Sequence, residues 1–195
     1  MQVALAYKTW YELLFKERNI LVDIALVVFS VVFLAILSNL YIPLWPVPIT
    51  GQTFGLFIIA FFFGSKRGFL SILTYLIAGA LGFGVFAQFK SGLATFIGPT
   101  AGYLIGFLAM VFIIGLMIEK GYGRTKRSVL VCMLVGEAVL YLFGLTWLWM
   151  YLGYPGFITL LSAGFFPFLI GDALKIGAAI ALFPKVWGMG KKVNV

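Results

Sequence analysis

The sequence predicts an all-α membrane protein of six transmembrane helices with both termini cytoplasmic, and three observations carry that prediction. The 195 residues are 63% hydrophobic and 10% charged, with a mean hydropathy of +1.12, far from the composition of a soluble domain. The apolar residues fall into six runs, near Ile20 to Leu40, Gln52 to Gly64, Gly68 to Leu81, Leu93 to Ile118, Ser128 to Leu152 and Ile158 to Phe183. Since about twenty helical residues cross about 30 Å of hydrocarbon, these runs use up most of the chain and form one membrane domain. The third observation is the placement of basic residues. If six helices alternate, twelve of the fourteen Lys and Arg residues fall on one side: Lys8, Lys16, Arg18, Lys66, Arg67, Lys120, Arg124, Lys126, Arg127, Lys185, Lys191 and Lys192. The positive-inside rule makes that side cytoplasmic. Were the short second and third runs not to cross, Lys66 and Arg67 would lie outside and spoil the pattern.

Residues 1–19 precede the first crossing. Lys8, Glu12 and Lys16 recur every four residues, with Ala6, Trp10, Leu13 and Leu14 near the opposite side, which predicts a short interfacial helix. Positive charges recur just before the long apolar run and no small-residue cleavage pattern follows it, so the segment is expected to be retained and not removed as a secretory signal. Residues 20–195 form the transmembrane domain. Its second and third helices are joined to their neighbours by the Pro-rich stretch Ile42 to Pro48 and the Gly-rich stretch Gly79 to Gly84. Links with so little charge can enter the membrane only against protein. In the fourth run Gly98, Gly102 and Gly106 repeat every four residues after Pro99, giving one smooth helix edge for close packing.

Several function classes are excluded or weakened by composition. With no histidine, the commonest proton shuttle and metal ligand is missing. The single Cys132 lies in an apolar run and forms no intrachain disulfide. The formal charge of +8 reports membrane orientation and gives no reason to expect a nucleic-acid partner; lipid is the surrounding partner.

Two basic residues escape the orientation pattern: Lys90, in an outer loop, and Lys175, inside the last apolar run, three residues after Asp172. Charges deep in a bilayer cost several kcal/mol unless they are paired, face a cavity or hold a ligand. Residues three apart on a helix share a face, so Asp172 and Lys175 either neutralise each other or meet one solute. A solute with a carboxylate and N–H donors would need a cation for the first and an acceptor for the second, and this pair supplies both. Gln52, at the start of the second helix, and Gln88, between the third and fourth, offer amides suited to an amide or urea. Trp45, Phe83, Phe86, Phe89, Trp147, Trp149 and Tyr151 lie near the outer surface as an aromatic belt; Phe86 and Phe89 flank Gln88 closely enough to line a lid. Asp23 and Glu137 are further intramembrane acids without an adjacent base.

Three blocks then identify a resemblance. Pro46 to Thr53 reads PVPITGQT, Gly98 to Phe107 reads GPTAGYLIGF, and Pro167 to Lys175 reads PFLIGDALK. Together, in this order and with six-helix spacing over nearly the whole chain, they closely resemble the BioY family of biotin transporters. The resemblance implies the substrate-binding S-component bundle of an energy-coupling factor (ECF) transporter, a subtype of ABC transporter. It implies biotin capture from outside, with a transmembrane T component and two cytoplasmic ATPases as partners. This chain would bind no cofactor itself; it has no Walker A pattern, and ATP is used by the partner ATPases. The family's biotin-binding Asp and Lys correspond to Asp172 and Lys175, while Gln52 and the loop around Gln88 correspond to regions near its pocket; Phe86 and Lys90 of that loop and Tyr151 near the outer surface complete the candidate binding residues. The sequence departs from the family pattern in the first helix, where Ala25 is followed by Phe29 and Val31 by Ala35 in place of small residues four apart. It departs also at Ala101 and Ile170, and Glu137 lies outside the pattern.

Two other functions fit less well. An S component for another carboxylated vitamin or heterocycle keeps the fold and changes the ligand. An intramembrane aspartyl hydrolase would use Asp23 and Asp172 as a shared-proton dyad, but Leu169 occupies the position where such proteases have Gly, and Lys175 holds Asp172 charged. The chain is therefore expected not to be an enzyme.

Overall fold

A computed structural model of the chain describes residues 9–15 and 19–192. A short helix α1 (Trp10–Leu14) is followed by α2 (Ile20–Asn39), the two-residue strands β1 (Tyr41–Ile42) and β2 (Ile49–Thr50), and α3 (Gln52–Ala80). After an irregular segment with 3-10 turns at Ala87–Phe89 and Leu93–Ile97 come α4 (Ala101–Glu119), α5 (Lys126–Tyr151), α6 (Phe157–Gly164) and α7 (Leu169–Lys192). The strands pair antiparallel, Tyr41 opposite Thr50 and Ile42 opposite Ile49, and close the Pro-rich loop between α2 and α3.

The second and third apolar runs are the two arms of α3. The helix breaks at Gly64, whose φ of 76° and ψ of −162° are not helical. The break reverses the chain, since Gln52 Nε2 donates to Tyr75 Oη at 2.8 Å, whereas a straight helix would hold those residues about 35 Å apart. Six crossings result, as the charge pattern requires: α2, the two arms of α3, α4, α5, and α6 with α7. The ends alternate accordingly. At one end Arg67 meets Asp23, Nε to Oδ1 3.4 Å, and the Arg67 guanidinium lies 4.0 Å over the Tyr11 ring. Asp23 thus has a partner 44 positions away, which no local pattern could supply.

Glycine makes the bend and a carboxylate closes it. Ser65 donates to Glu119 Oε1 from its backbone N–H and its hydroxyl, each at 2.7 Å, so the end of α4 caps the start of the second arm of α3. Ser65 is buried. Glu119→Ala leaves both donors unsatisfied and is expected to destabilise the protein by about 1–3 kcal/mol, read as a lower melting temperature in detergent.

Helix α4 is central, packed against α3 on one side and α5 on the other. Gly102 and Gly106 form the smooth edge facing α5: a Cβ at Gly102 would lie 2.3 Å from Trp147 Cβ and 2.5 Å from the Phe143 carbonyl. Gly98 precedes the helix and has a different role, its carbonyl accepting the Trp147 indole N–H at 2.9 Å. Trp147 is therefore a packing residue tied to the bundle, not part of an interfacial belt. Helix α2 is peripheral. It buries Ser30, Leu34 and Ser38 on one stripe and leaves Ile24, Val28, Phe29, Val32 and Ile36 exposed, as expected of a helix with one side in lipid.

Three expectations need correction. The fourth helix begins at Ala101, not near Leu93, because Pro99 lacks an N–H and Gly98 is extended, with φ −80° and ψ 177°; Leu93 and Ile97 are exposed. The last run is not one helix. It breaks at Phe165 and restarts through the turn Phe166–Phe168, which contains Pro167, so Asp172 stands in the first turn of α7. The Gly164 carbonyl accepts the Tyr103 hydroxyl at 2.8 Å, which satisfies a group exposed by the break. In the N-terminal segment, Ala6, Lys8 and Lys16 lie outside the described residues. Within them, Glu12 forms a capping box with Thr9, and the buried face is that of Tyr11, while Leu14 is exposed.

Candidate functional site

The first turn of α7, the start of α3, the middle of α5 and the two irregular connections meet around a cavity of about 890 Å³. One wall comes from the loop closed by β1 and β2 (Trp45, Pro46, Val47) and another from the segment between α3 and α4 (Phe86, Gln88, Lys90, Thr95). Tyr103, Leu104 and Phe107 of α4 and Leu140 of α5 supply apolar surface, and Glu137 and Tyr141 of α5 lie close to Asp172 and Lys175 of α7 along the lining. Its size is in the range of small-molecule sites, and the mixture of apolar bulk with a few convergent polar groups is what such sites use for affinity and orientation.

Asp172 and Lys175 form the polar centre. Lys175 Nζ donates to Asp172 Oδ1 at 3.2 Å and to Thr53 Oγ1 at 2.6 Å, and the two charged side chains are only 15% and 9% exposed. The Tyr141 hydroxyl donates to the other carboxylate oxygen, Asp172 Oδ2. The position of Asp172 follows from the break at Phe165 to Phe168, because carboxylates are favoured in the first turn of a helix. Glu137 and Tyr141 sit one turn apart on α5, and so on one face.

All seven residues singled out from the sequence line this cavity, but in different ways. Gln52 is buried and its amide is occupied: Nε2 donates to Tyr75, and Oε1 accepts from Thr50 Oγ1 at 3.0 Å. The Tyr75 hydroxyl passes on to the Val85 carbonyl at 2.8 Å, which also accepts Ser38 Oγ at 2.7 Å. Gln52 therefore ties the β1–β2 loop, α3 and the α3–α4 segment together. Phe86 is buried, edge-on to Tyr75 and Phe96. Gln88, Lys90 and Tyr151 are exposed at the cavity's mouth. Phe89 does not share a lid with Phe86. It lines a separate apolar groove of about 710 Å³ against α2, where its backbone N–H donates to Asn39 Oδ1 at 2.9 Å.

Thr53, Tyr103 and Tyr141 were not singled out as site residues. Thr53 adjoins Gln52 in the first block but is 122 positions from the lysine it meets. Tyr141 was detectable, since it lies one turn from the already conspicuous Glu137. The aspartyl dyad is contradicted by distance: Asp23 is paired with Arg67 and lies about 24 Å of helix from Asn39 at the cavity end of α2.

Comparison with known proteins identifies the family and the fold. A sequence profile of the BioY family matches residues 9–192. A probable biotin transporter BioY of Pyrococcus horikoshii is 37% identical over 166 residues, 85% of this chain and 96% of that protein. The biotin transporter BioY of Thermotoga maritima is 40% identical over 143 residues, 72% of this chain and 82% of that protein. Among solved structures, the crystal structure of the S-component for biotin from an ECF-type ABC transporter superposes with a TM-score of 0.77 at 25% identity, covering 88% of this chain and 95% of that one. With six membrane crossings, the three sequence blocks in order and this match along nearly its whole length, the chain is a multi-pass membrane protein that belongs to the BioY family.

Proposed function

We propose that this chain captures biotin at the outer face of the membrane as the S component of an ECF-type transporter, with a T component and two cytoplasmic ATPases supplying the energy for uptake. The observation that carries the reading is the largely enclosed cluster of Asp172, Lys175 and Thr53 on the wall of an otherwise largely apolar cavity. Biotin has an apolar bicycle, a valerate carboxylate and a ureido group with N–H donors and a carbonyl. An apolar wall takes the rings, a buried cation suits an anion or carbonyl, and a carboxylate suits N–H donors. Asp172 and Lys175 are the central contacts in this reading, with Phe86 and Gln52 shaping the wall and Gln88, Lys90 and Tyr151 at the entrance. Residues 20–195 form the binding domain and residues 1–19 an interfacial segment before it.

The test is retention of radiolabelled biotin by the purified protein, with a panel of unlabelled vitamins as competitors. Biotin is expected to compete best, and Asp172→Asn is expected to weaken binding about tenfold or more, since it removes a charged acceptor. If biotin fails to compete and another carboxylated heterocycle succeeds, the ligand assignment is wrong while the S-component reading stands.

A further inference from the structure

Among the described residues, one buried polar side chain of the cavity lining has no partner, and it is not in the central cluster. Glu137 is 6% exposed, lines the cavity, and neither of its carboxyl oxygens accepts a hydrogen bond. Four nearby acceptors each already have a donor within the protein. Asp172 Oδ1 accepts from Lys175 and Oδ2 from Tyr141, Thr53 Oγ1 accepts from Lys175, and Gln52 Oε1 accepts from Thr50. Burying a carboxyl group with no donor costs its desolvation without return, so a residue held this way signals a missing partner.

We propose that Glu137 is a ligand-contacting residue of the cavity, accepting one ureido N–H of the bound solute and so selecting for ligands that carry such a donor. The inference rests on the reading of the cavity as a biotin site and names a residue outside the Asp172–Lys175 pair. Empty, the protein already gives each Asp172 oxygen one donor, from its own lysine and tyrosine, whereas neither Glu137 oxygen has any. Reaching the solute requires only rotation about the Glu137 side-chain torsions toward a cavity of about 890 Å³. The ureido ring presents its two N–H groups on opposite sides of its carbonyl, so Glu137 takes one and leaves the other for a second acceptor.

The experiment measures equilibrium binding of two ligands to the purified full chain: biotin, and tetrahydrothiophene-2-pentanoic acid, which keeps the apolar ring and the carboxylate but lacks the ureido group. Glu137→Met is expected to weaken biotin about tenfold or more, to change affinity for the ureido-free acid less than about threefold, and to leave the melting temperature equal or higher, because removing an unpaired buried polar group does not destabilise. Glu137→Gln keeps a side-chain carbonyl oxygen and is expected to restore most of the biotin affinity. Unchanged biotin binding in Glu137→Met, or equal losses for both ligands, overturns the proposal. If the Met variant does not fold, failure of Glu137→Gln to bind biotin within about tenfold of wild type overturns it instead. Wild-type protein that does not bind biotin at all overturns the proposed function first, and this inference with it.

Discussion

Lys175→Met is expected to weaken biotin binding by about ten- to a hundredfold and to destabilise the empty protein by about 3 kcal/mol. The binding loss follows from removing the largely buried cation that lies beside Asp172: hydrogen bonds to charged groups contribute about 1.5–3 kcal/mol, and 1.4 kcal/mol is tenfold in affinity. The stability loss has a different origin. Lys175 and Asp172 are 15% and 9% exposed, and breaking a buried pair from one side costs about 3–5 kcal/mol because the remaining charge is uncompensated. The lower end applies here, since the Tyr141 hydroxyl continues to donate to Asp172. The double variant Asp172→Asn with Lys175→Met separates the two effects. Removing both charges is expected to return the melting temperature close to wild type while biotin binding stays weakened. A single variant as stable as wild type would mean that the pair is solvated, and retained binding would remove Lys175 from the ligand's contacts.

The parts of this site that were legible in the sequence are those whose cost shows locally. Asp172 and Lys175 stand out because a bilayer tolerates few charges, and their spacing alone puts them on one face. The hairpin of α3 was legible through Lys66 and Arg67, which an uncrossed segment would have put on the wrong side. Contacts between distant positions were not legible. Nothing near Thr53 marks it as the acceptor for Lys175, and nothing near Asp23 points to Arg67. The break before Asp172 was masked because Phe165, Phe166 and Phe168 are as apolar as the helix they interrupt, and Pro167 alone does not tell a kink from a restart. Gln52 shows the converse. Its position was read from the motif, yet its amide is spent within the protein, a distinction that only the partners Thr50 and Tyr75 reveal.

Gly64→Ala is expected to destabilise the protein by about 2–6 kcal/mol without altering the biotin affinity of whatever fraction folds. With φ 76° and ψ −162°, Gly64 occupies a region that is essentially closed to residues bearing a Cβ, at a cost of about 1–3 kcal/mol. The added methyl would also lie 2.6 Å from Glu119 Oε1 and 2.7 Å from Thr9 Cγ2. Glu119 can withdraw only by releasing the Ser65 N–H and hydroxyl that it caps, a further loss of about 1–3 kcal/mol. Combining Gly64→Ala with Glu119→Ala should therefore cost less than the two changes measured singly, because the clash and the cap share one atom. Gly115→Ala offers a comparison, since the three atoms nearest its Cβ would all be backbone, among them the Ser65 nitrogen at 2.3 Å and the Gly64 carbonyl carbon at 2.4 Å, and no side-chain deletion can relieve those clashes. Thr53 is about 17 Å along the first arm from Gly64, so damage at the bend reaches the cavity only through unfolding. Melting temperatures and biotin titrations of the same preparations check both halves. An unchanged melting temperature in Gly64→Ala would mean that the arms of α3 do not reverse at this residue, and with it the six-crossing arrangement that puts Lys66 and Arg67 beside Asp23 would fall.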